Sequence, residues 1–212
     1  KDQNWDSNPF HMEIKDGKAF GRGTSDMKGF IALILSQAKA ISETKLSIPV
    51  HFALSYDEEV GCLGVPHLLK RMKKQGIEPR FCVVGEPTEM RIVNGHKGQL
   101  FHKCTVKGLE SHSSLIDNGV NAIDYAVELI TYIQGVAQRA RTDGPQDTRF
   151  DPPFNSIHVG VIQGGTVNNI IPNHCEFQFE VRYLPGHYPS ADIEEIKSYA
   201  ENELLPRMRE RA

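Results

Sequence analysis

Residues 81–88 read Phe-Cys-Val-Val-Gly-Glu-Pro-Thr, and this stretch indicates the fold of the first part of the chain. Its apolar half has the length and composition of a short buried strand that ends at the turn carrying Glu86. Residues 48–54 form a second apolar run of this kind, and helical patterns cover residues 27–41 and 61–75. Alternating helices and buried strands predict right-handed crossovers and an α/β fold with a mainly parallel sheet.

Three acidic clusters lie at the turns of this predicted sheet. They contain Asp26, the pair Glu58 and Glu59, and Glu86. In such sheets ligands bind beyond the carboxyl ends of the strands, so we expect these carboxylates to share one site. Three carboxylate clusters could hold two divalent ions and leave one acid free as a base, as in a two-metal hydrolase.

Each acidic cluster also has a plain structural interpretation. Ser25 or Asp26 would cap the helix that follows. The Asp-Glu-Glu run at 57–59 could be a solvated turn that favours the start of the next helix. Glu86 could be an ordinary acid of a surface loop. Their joint occurrence at the ends of α/β units is what favours the metal site.

The pattern changes after about residue 95. An alternating strand is predicted at 99–106, a helix at 121–139, two strands at 156–162 and 175–183, and a final helix at 191–209. This βαββα order is one strand short of the split β-α-β motif of small α+β domains. We therefore expect a partial α/β domain over residues 1–95 and a smaller α+β domain over residues 96–212. A hairpin is predicted around Asp16-Gly17.

Composition limits the classes of function. The 212 residues carry a net charge of −3, which gives no basic surface for nucleic acid. No apolar run approaches the 18 residues of a membrane span, and no secretory leader opens the sequence. The four cysteines are scattered without a Cys-x-x-Cys pair, which favours reduced, structural thiols and a cytoplasmic protein.

Three further residues are candidates for binding or chemistry. His112 lies in a polar loop before a helix, Asn168 lies in a Gly-Gly-Thr-Val-Asn-Asn turn, and Arg182 lies on an apolar strand. Taken singly, they fit a surface or capping histidine, a turn residue, and an arginine that pairs with a carboxylate or lies at a sheet edge. The helical His-Glu-x-x-His zinc motif and the Gly-x-Ser-x-Gly elbow of serine hydrolases are absent from the sequence.

Taken in order, these segments resemble a known enzyme family. They are Gly-Arg-Gly-Thr-Ser-Asp-Met-Lys-Gly, Asp-Glu-Glu-Val-Gly, Gly-Glu-Pro-Thr, His-Lys-Gly, Ser-His-Ser-Ser, and Asn-Asn-Ile-Ile-Pro followed by an arginine. The resemblance is to the dinuclear zinc amidohydrolases that include acetylornithine deacetylase, succinyl-diaminopimelate desuccinylase and glutamate carboxypeptidase. It runs over nearly the whole chain.

The resemblance implies a role for each candidate residue. Glu58 would be the general base, and His112 would enter the partner subunit's site in a homodimer and polarise the scissile carbonyl. Asn168 and Arg182 would hold the substrate's carboxylate or the tetrahedral intermediate. Two divalent metal ions, zinc or alternatively cobalt, would be bound by three carboxylates: Asp26 as the bridging ligand, Glu59 and Glu86.

The resemblance also implies ligands that this sequence does not contain. A His-x-Asp segment is expected ahead of Trp5, and a last histidine ligand is expected beyond Ala212. We therefore expect a central fragment that holds three of five protein ligands and is inactive alone.

Within the family, His96-Lys97-Gly98 is most similar to acetylornithine deacetylase, so the small-molecule substrate would be N2-acetylornithine, in arginine biosynthesis. A desuccinylase, another aminoacylase or a carboxypeptidase is the alternative. A non-catalytic dimerisation module is the alternative from another class. No nucleic-acid or membrane partner is expected.

Overall fold

The computed structural model describes residues 3–212, and these residues divide into two compact units with a boundary between Ile92 and Val93. The first unit contains a hairpin and two helices. Their bounds are β1 Glu13–Lys15, β2 Lys18–Phe20, α1 Gly29–Glu43 and α2 Val65–Lys74. Asp16 and Gly17 both have positive φ, as a tight hairpin turn requires, so the predicted hairpin is confirmed.

The second unit is a three-stranded antiparallel sheet covered on one face by helices. Its elements are β3 Gly98–Lys107, β4 Ser111–His112, α3 Ala122–Thr142, β5 Ser156–Gly164, β6 Ile170–Ile171, β7 His174–Tyr183, α4 Ser190–Tyr199 and α5 Leu205–Glu210, with a π-helical turn at Ala200–Leu204 joining the last two. The strand order is β3-β7-β5, so β7 is the central strand. The predicted βαββα order is confirmed.

The core of the second unit lies between α3 and β7. Alternate residues of β7 point to this side and are buried, and α3 presents a stripe at helical spacing. The buried residues of the two elements are Ala122, Ala126, Leu129, Ile133, Val136, Ala140, Cys175, Phe177, Phe179 and Val181. Ile196, Leu204 and Met208 extend this cluster from the C-terminal helices.

Polar side chains join α3 to the C-terminal helices outside the core. The rings of Tyr132 and Tyr199 stack with centroids 3.8 Å apart. The Tyr132 hydroxyl donates to Glu195 at 2.7 Å, and the Tyr199 hydroxyl donates to Glu128 at 2.9 Å. These contacts fix the position of α4 along α3.

The first unit departs from the sequence-based prediction. Residues 48–54 and 81–84 are extended but unpaired, and every sheet of the described residues is antiparallel, so the predicted mainly parallel sheet is wrong here. Phe81 and Val83 are 76% and 81% exposed. Two short strands bury too little surface to pair in parallel when no further strands lie beside them and no helices cover both of their faces.

The predicted helix cap is also wrong. Residues Thr24–Lys28 form an irregular turn, α1 begins at Gly29, and neither start is capped by a side chain. Asp26 has extended backbone angles inside this turn, which leaves its carboxylate free of a capping bond.

No helix in the described part of the chain is both long and apolar enough to cross a membrane. All four cysteines are free thiols.

The core contact can be tested by truncating Phe177, whose side chain is fully buried on β7. We expect Phe177→Ala to lower the free energy of unfolding by about 3–5 kcal/mol, because it removes apolar contacts and leaves a cavity. Phe101→Ala is the matched control, since Phe101 lies in the same sheet and is 73% exposed. Chemical denaturation of both variants measures the difference, and equal losses would contradict the assignment of the core.

Candidate functional site

One glycine contact in the first unit brings Glu86 near Asp26. A Cβ on Gly85 would lie 2.1 Å from Cδ1 of Phe30, so the Phe30 ring of α1 packs directly on the backbone before Glu86. This contact places Glu86 beside the start of α1, where Asp26 lies. Glycine at position 85 is the one sign in the sequence that another group packs closely on the backbone there. The sequence does not show that this group is Phe30.

A compact turn presents Glu58 and Glu59. Its backbone is held by hydrogen bonds from Gly61 and Cys62 to the carbonyl oxygen of Glu58, at 3.0 and 2.9 Å. The Cys62 thiol donates to the Glu58 carboxylate at 3.7 Å. Loss of some contact with water, the charge of Glu58 and its hydrogen bond, and the charge of Glu86 raise the pKa of the exposed Cys62 thiol. The turn therefore orients Glu58 through both its backbone and its side chain.

The negative charges of three carboxylates act on the fourth, Glu86. The pKa of Glu86 is raised, first by its loss of contact with water and then by the negative charges of Asp26, Glu58 and Glu59. Like charges held at short range disfavour ionisation. The structure thus brings all four carboxylates into one neighbourhood.

Whether these residues fit a metal ion depends on donor type and on geometry. Carboxylate oxygens suit divalent ions. In the described residues, however, no three His, Cys, Asp or Glu side chains converge closely enough to hold an ion. The carboxylates present therefore match a metal centre in donor type but do not form one by themselves.

In the second unit, the structure brings His112 and Asn168 to neighbouring loops. His112 on β4 pairs with Ile170 on β6, and Ser113 donates its backbone N–H to Asn169 at 2.9 Å. Nδ1 of His112 accepts the backbone N–H of Ser114 at 3.2 Å. Nδ1 also lies 2.7 Å from the hydroxyl oxygen of Ser114, and the direction of that hydrogen bond depends on the tautomer of the ring. In the tautomer in which Nδ1 accepts both bonds, Nε2 carries the proton and can donate it to a carbonyl or oxyanion.

Arg182 lies far from these two residues. It is eight positions along β7 from His174, which is roughly 26 Å of strand. His174 is paired with Lys107, at the end of the sheet where β4 follows, whereas Arg182 is paired with Gln99 at the other end. Within one chain, His112 and Arg182 therefore cannot contact the same small molecule.

Arg182 lines an open cavity of about 450 Å³ at its end of the sheet. His96, Lys97, Phe150, Asp151, Pro152 and Ser156 form the rest of the lining. The guanidinium donates to Glu180 at 3.3 and 3.4 Å and remains 44% exposed. The sequence pattern does not identify Lys97 or the other residues around Arg182 as individual binding residues.

Residues 94–208 match the family described as the peptidase dimerisation domain of M20 peptidases. Acetylornithine deacetylase of Proteus mirabilis (strain HI4320) is 34% identical over 86% of this chain and 46% of its own length. Acetylornithine deacetylase of Myxococcus xanthus is 38% identical over 82% of this chain and 44% of its own length. The chain thus spans about half the length of the curated relatives it matches.

Among solved structures, aminopeptidase PepT from Bacillus cereus superposes with a TM-score of 0.59 over 93% of this chain and 50% of its own, at 21% identity. A tripeptidase from Staphylococcus aureus gives a TM-score of 0.58 over 90% of this chain and 48% of its own, at 19% identity. At these identities, the likeness concerns the fold.

The mutual influence of the carboxylates predicts a measurable change in Glu86. Glu58→Gln removes one of the negative charges that act on it, so the pKa of Glu86 should fall toward its ordinary value of 4.5 without reaching it, because partial burial persists. The raised pKa means that this group favours the folded state at acid pH and that the contribution is lost as the pH rises through that pKa. Carboxyl NMR titration measures the shift.

Glu43→Gln provides the control for this titration. Glu43 lies at the far end of α1 and pairs with Lys39, so its loss should leave the pKa of Glu86 unchanged. An unchanged Glu86 titration in the Glu58 variant would refute the shared neighbourhood.

Proposed function

Because this chain belongs to the M20 peptidase family through its dimerisation domain, we propose that it is the central part of a metal-dependent amidohydrolase. The observation that carries the proposal is the grouping of Asp26, Glu58, Glu59 and Glu86 within one electrostatic neighbourhood. Nothing in a pure scaffold requires this grouping of carboxylates, whereas a site that binds divalent cations uses carboxylate oxygens as ligands.

In this proposal, residues 1–95 belong to the catalytic domain and residues 96–212 form the lid and dimerisation domain. Asp26, Glu59 and Glu86 would hold two divalent ions, zinc or cobalt, together with ligands from outside these residues. When bound, such ions supply Lewis-acid chemistry that polarises a carbonyl and makes a water molecule more acidic.

The chain's own residues would carry the proton and bind the substrate. Glu58, held by the turn at Gly61 and Cys62, would accept a proton from the attacking water and later return it to the leaving amine. The Nε2–H group of His112 would donate to the oxyanion that develops on the scissile carbonyl, an interaction for which loss of one donor costs roughly 3 kcal/mol. Asn168 and Arg182 would hold the substrate's carboxylate or the intermediate.

We propose an N-acyl amino acid as the substrate, and N2-acetylornithine in particular. Support comes from the curated relatives of Proteus mirabilis and Myxococcus xanthus, which are named acetylornithine deacetylases. The four free thiols are compatible with a reducing, cytoplasmic location. A desuccinylase acting on succinyl-diaminopimelate remains the second candidate for the same site.

The proposed activity is tested on the full-length protein that contains these residues. With zinc or cobalt added, it should release ornithine from N2-acetylornithine, whereas the 212-residue chain should not. Glu58→Gln should lower kcat by at least about a hundredfold, because a general base contributes 10²–10⁴-fold, while the content of bound metal should be retained. Activity retained in Glu58→Gln would contradict the assignment of the base.

The separation of His112 from Arg182 leads us to propose a composite site in a homodimer. In a two-fold dimer, one subunit would supply Arg182 and its partner would supply His112 and Asn168 to the same substrate. The dimerisation domain match supports such a pairing.

Mixed dimers test the composite site. The variants His112→Ala and Arg182→Ala should each be inactive alone, since every site in each homodimer lacks one group. Co-expression should restore about one quarter of the wild-type activity, because half the dimers are mixed and each mixed dimer has one intact site out of two. If co-expression restores nothing, while affinity capture of one tagged variant also recovers the other and so shows mixed dimers, both groups act within one subunit.

A further inference from the structure

The cavity beside Arg182 contains a second cation for which the family resemblance gave no role. Lys97 lines this cavity together with Arg182, His96 and Ser156, and Asp151 is the one carboxylate among the lining residues described. Ser156 on β5 is in register with Arg182 on β7, so its hydroxyl group and the guanidinium start from neighbouring positions of the sheet. The lining thus carries more positive than negative charge.

The fold holds Lys97 in place from both sides. Its ammonium group donates to the carbonyl oxygen of Phe154 at 2.6 Å and lies 5.8 Å from the centre of the Phe154 ring. Arg141, at the end of α3, lies 5.5 Å from the same ring, so the ring of Phe154 contacts two cations. On the other side, the ring of Tyr183 packs on Gly98. A Cβ added at Gly98 would lie 2.1 Å from Cζ of Tyr183, so the ring takes the space of any side chain at that position.

The loop that receives Lys97 is itself anchored. Asn155 is buried, donates its side-chain amide to the carbonyl oxygen of His187 at 3.0 Å and accepts the backbone N–H of Leu184 at 2.8 Å. Leu184 follows β7 directly, two positions after Arg182. Hydrogen bonds of Asn155 therefore connect the loop that carries the Phe154 carbonyl, the acceptor for Lys97, to the end of β7, the strand that carries Arg182.

The ammonium group retains capacity to bind a ligand. It has three N–H donors, and the recorded hydrogen bond to Phe154 uses one of them. Partial burial lowers its pKa, with Asp151 acting in the opposite direction. A carboxylate entering the cavity would offer the charge that both Lys97 and Arg182 attract, and bonds between ionised partners are about twice as strong as neutral ones.

We propose that Lys97 is a second carboxylate-binding cation beside Arg182, in a subsite that the second unit builds from its own residues. The ligand class is a small organic carboxylate that carries an uncharged polar group, such as an N-acyl amino acid. This deepens the proposed function, because it gives the substrate's carboxylate two cationic partners instead of one.

The test measures binding to the 212-residue chain and needs no turnover. N-Acetylglycine is titrated into the isotope-labelled protein, and the backbone amide shifts of Gly98, Ser156 and Arg182 are followed by NMR. N-Acetylglycinamide is the neutral control, since it has nearly the same size and no charge. We expect saturable shifts with the acid and none with the amide.

Substitutions then separate charge from anchoring. Lys97→Gln keeps a donor for the Phe154 carbonyl and loses the charge, so the dissociation constant should rise about tenfold, in line with a lost charge-assisted bond. Lys97→Arg should bind within about threefold of the wild type, because the charge remains. Lys107→Gln, at the far end of β3, is the matched control and should change nothing.

Each outcome decides the proposal. Absence of saturable binding to the wild type overturns it. Wild-type affinity in Lys97→Gln also overturns the proposal, because Lys97 would then only anchor the loop. Thermal unfolding of each variant shows whether the fold is intact. The binding test and the hydrolysis assay are independent. If the full-length protein does not hydrolyse N2-acetylornithine, the binding result still stands, and if the chain does not bind N-acetylglycine, the hydrolysis assay still decides the proposed activity.

Discussion

The packing of α3 against β7 is the contact on which the rest of the second unit depends. It contains several of the largest fully buried side chains of the described residues, including Phe177, Ile133 and Val136, and it fixes β7 as the central strand between β3 and β5. Because α3 and β7 both span the whole sheet, they also fix its two ends. At one end Ala122 donates its backbone N–H to Pro172 beside the His112 loop, and at the other Arg141 lies over Phe154.

The first unit is organised by a few turn and backbone contacts and not by a core. Between residues 3 and 92 no apolar side chain is buried, and the turns are held by short-range backbone bonds such as those to Glu58 and by the contact of Phe30 with Gly85. Contacts of this kind can group four carboxylates but supply little free energy of folding, since burial of apolar surface is the dominant favourable contribution. The grouping of the acidic residues is therefore supported by few buried apolar contacts within the first unit.

The sequence predicts an element well where the element's own residues show the spacing of a helix or strand with one buried face. The apolar spacing at 121–139 predicts a helix, and α3 forms there with Ala126, Ile133 and Val136 buried, whereas Val127, at the same spacing, is 50% exposed. The predicted strands at 48–54 and 81–84 failed because a parallel strand is defined by its neighbours, which no local pattern specifies. The same limit applies to the site: Glu86 was evident from its motif, whereas the hydrogen bond from Lys97 to Phe154 joins residues 57 positions apart.

The position of the candidate residues along β7 also constrains how they could act together. A strand held in register with β3 over ten residue pairs and with β5 on its other side cannot shorten, so the roughly 26 Å between Arg182 and His174 is a rigid distance. A small N-acyl amino acid cannot span it. If His112 and Arg182 serve one substrate, the second of them must come from another copy of the chain, and the length of the sheet is then what makes dimerisation a condition for activity.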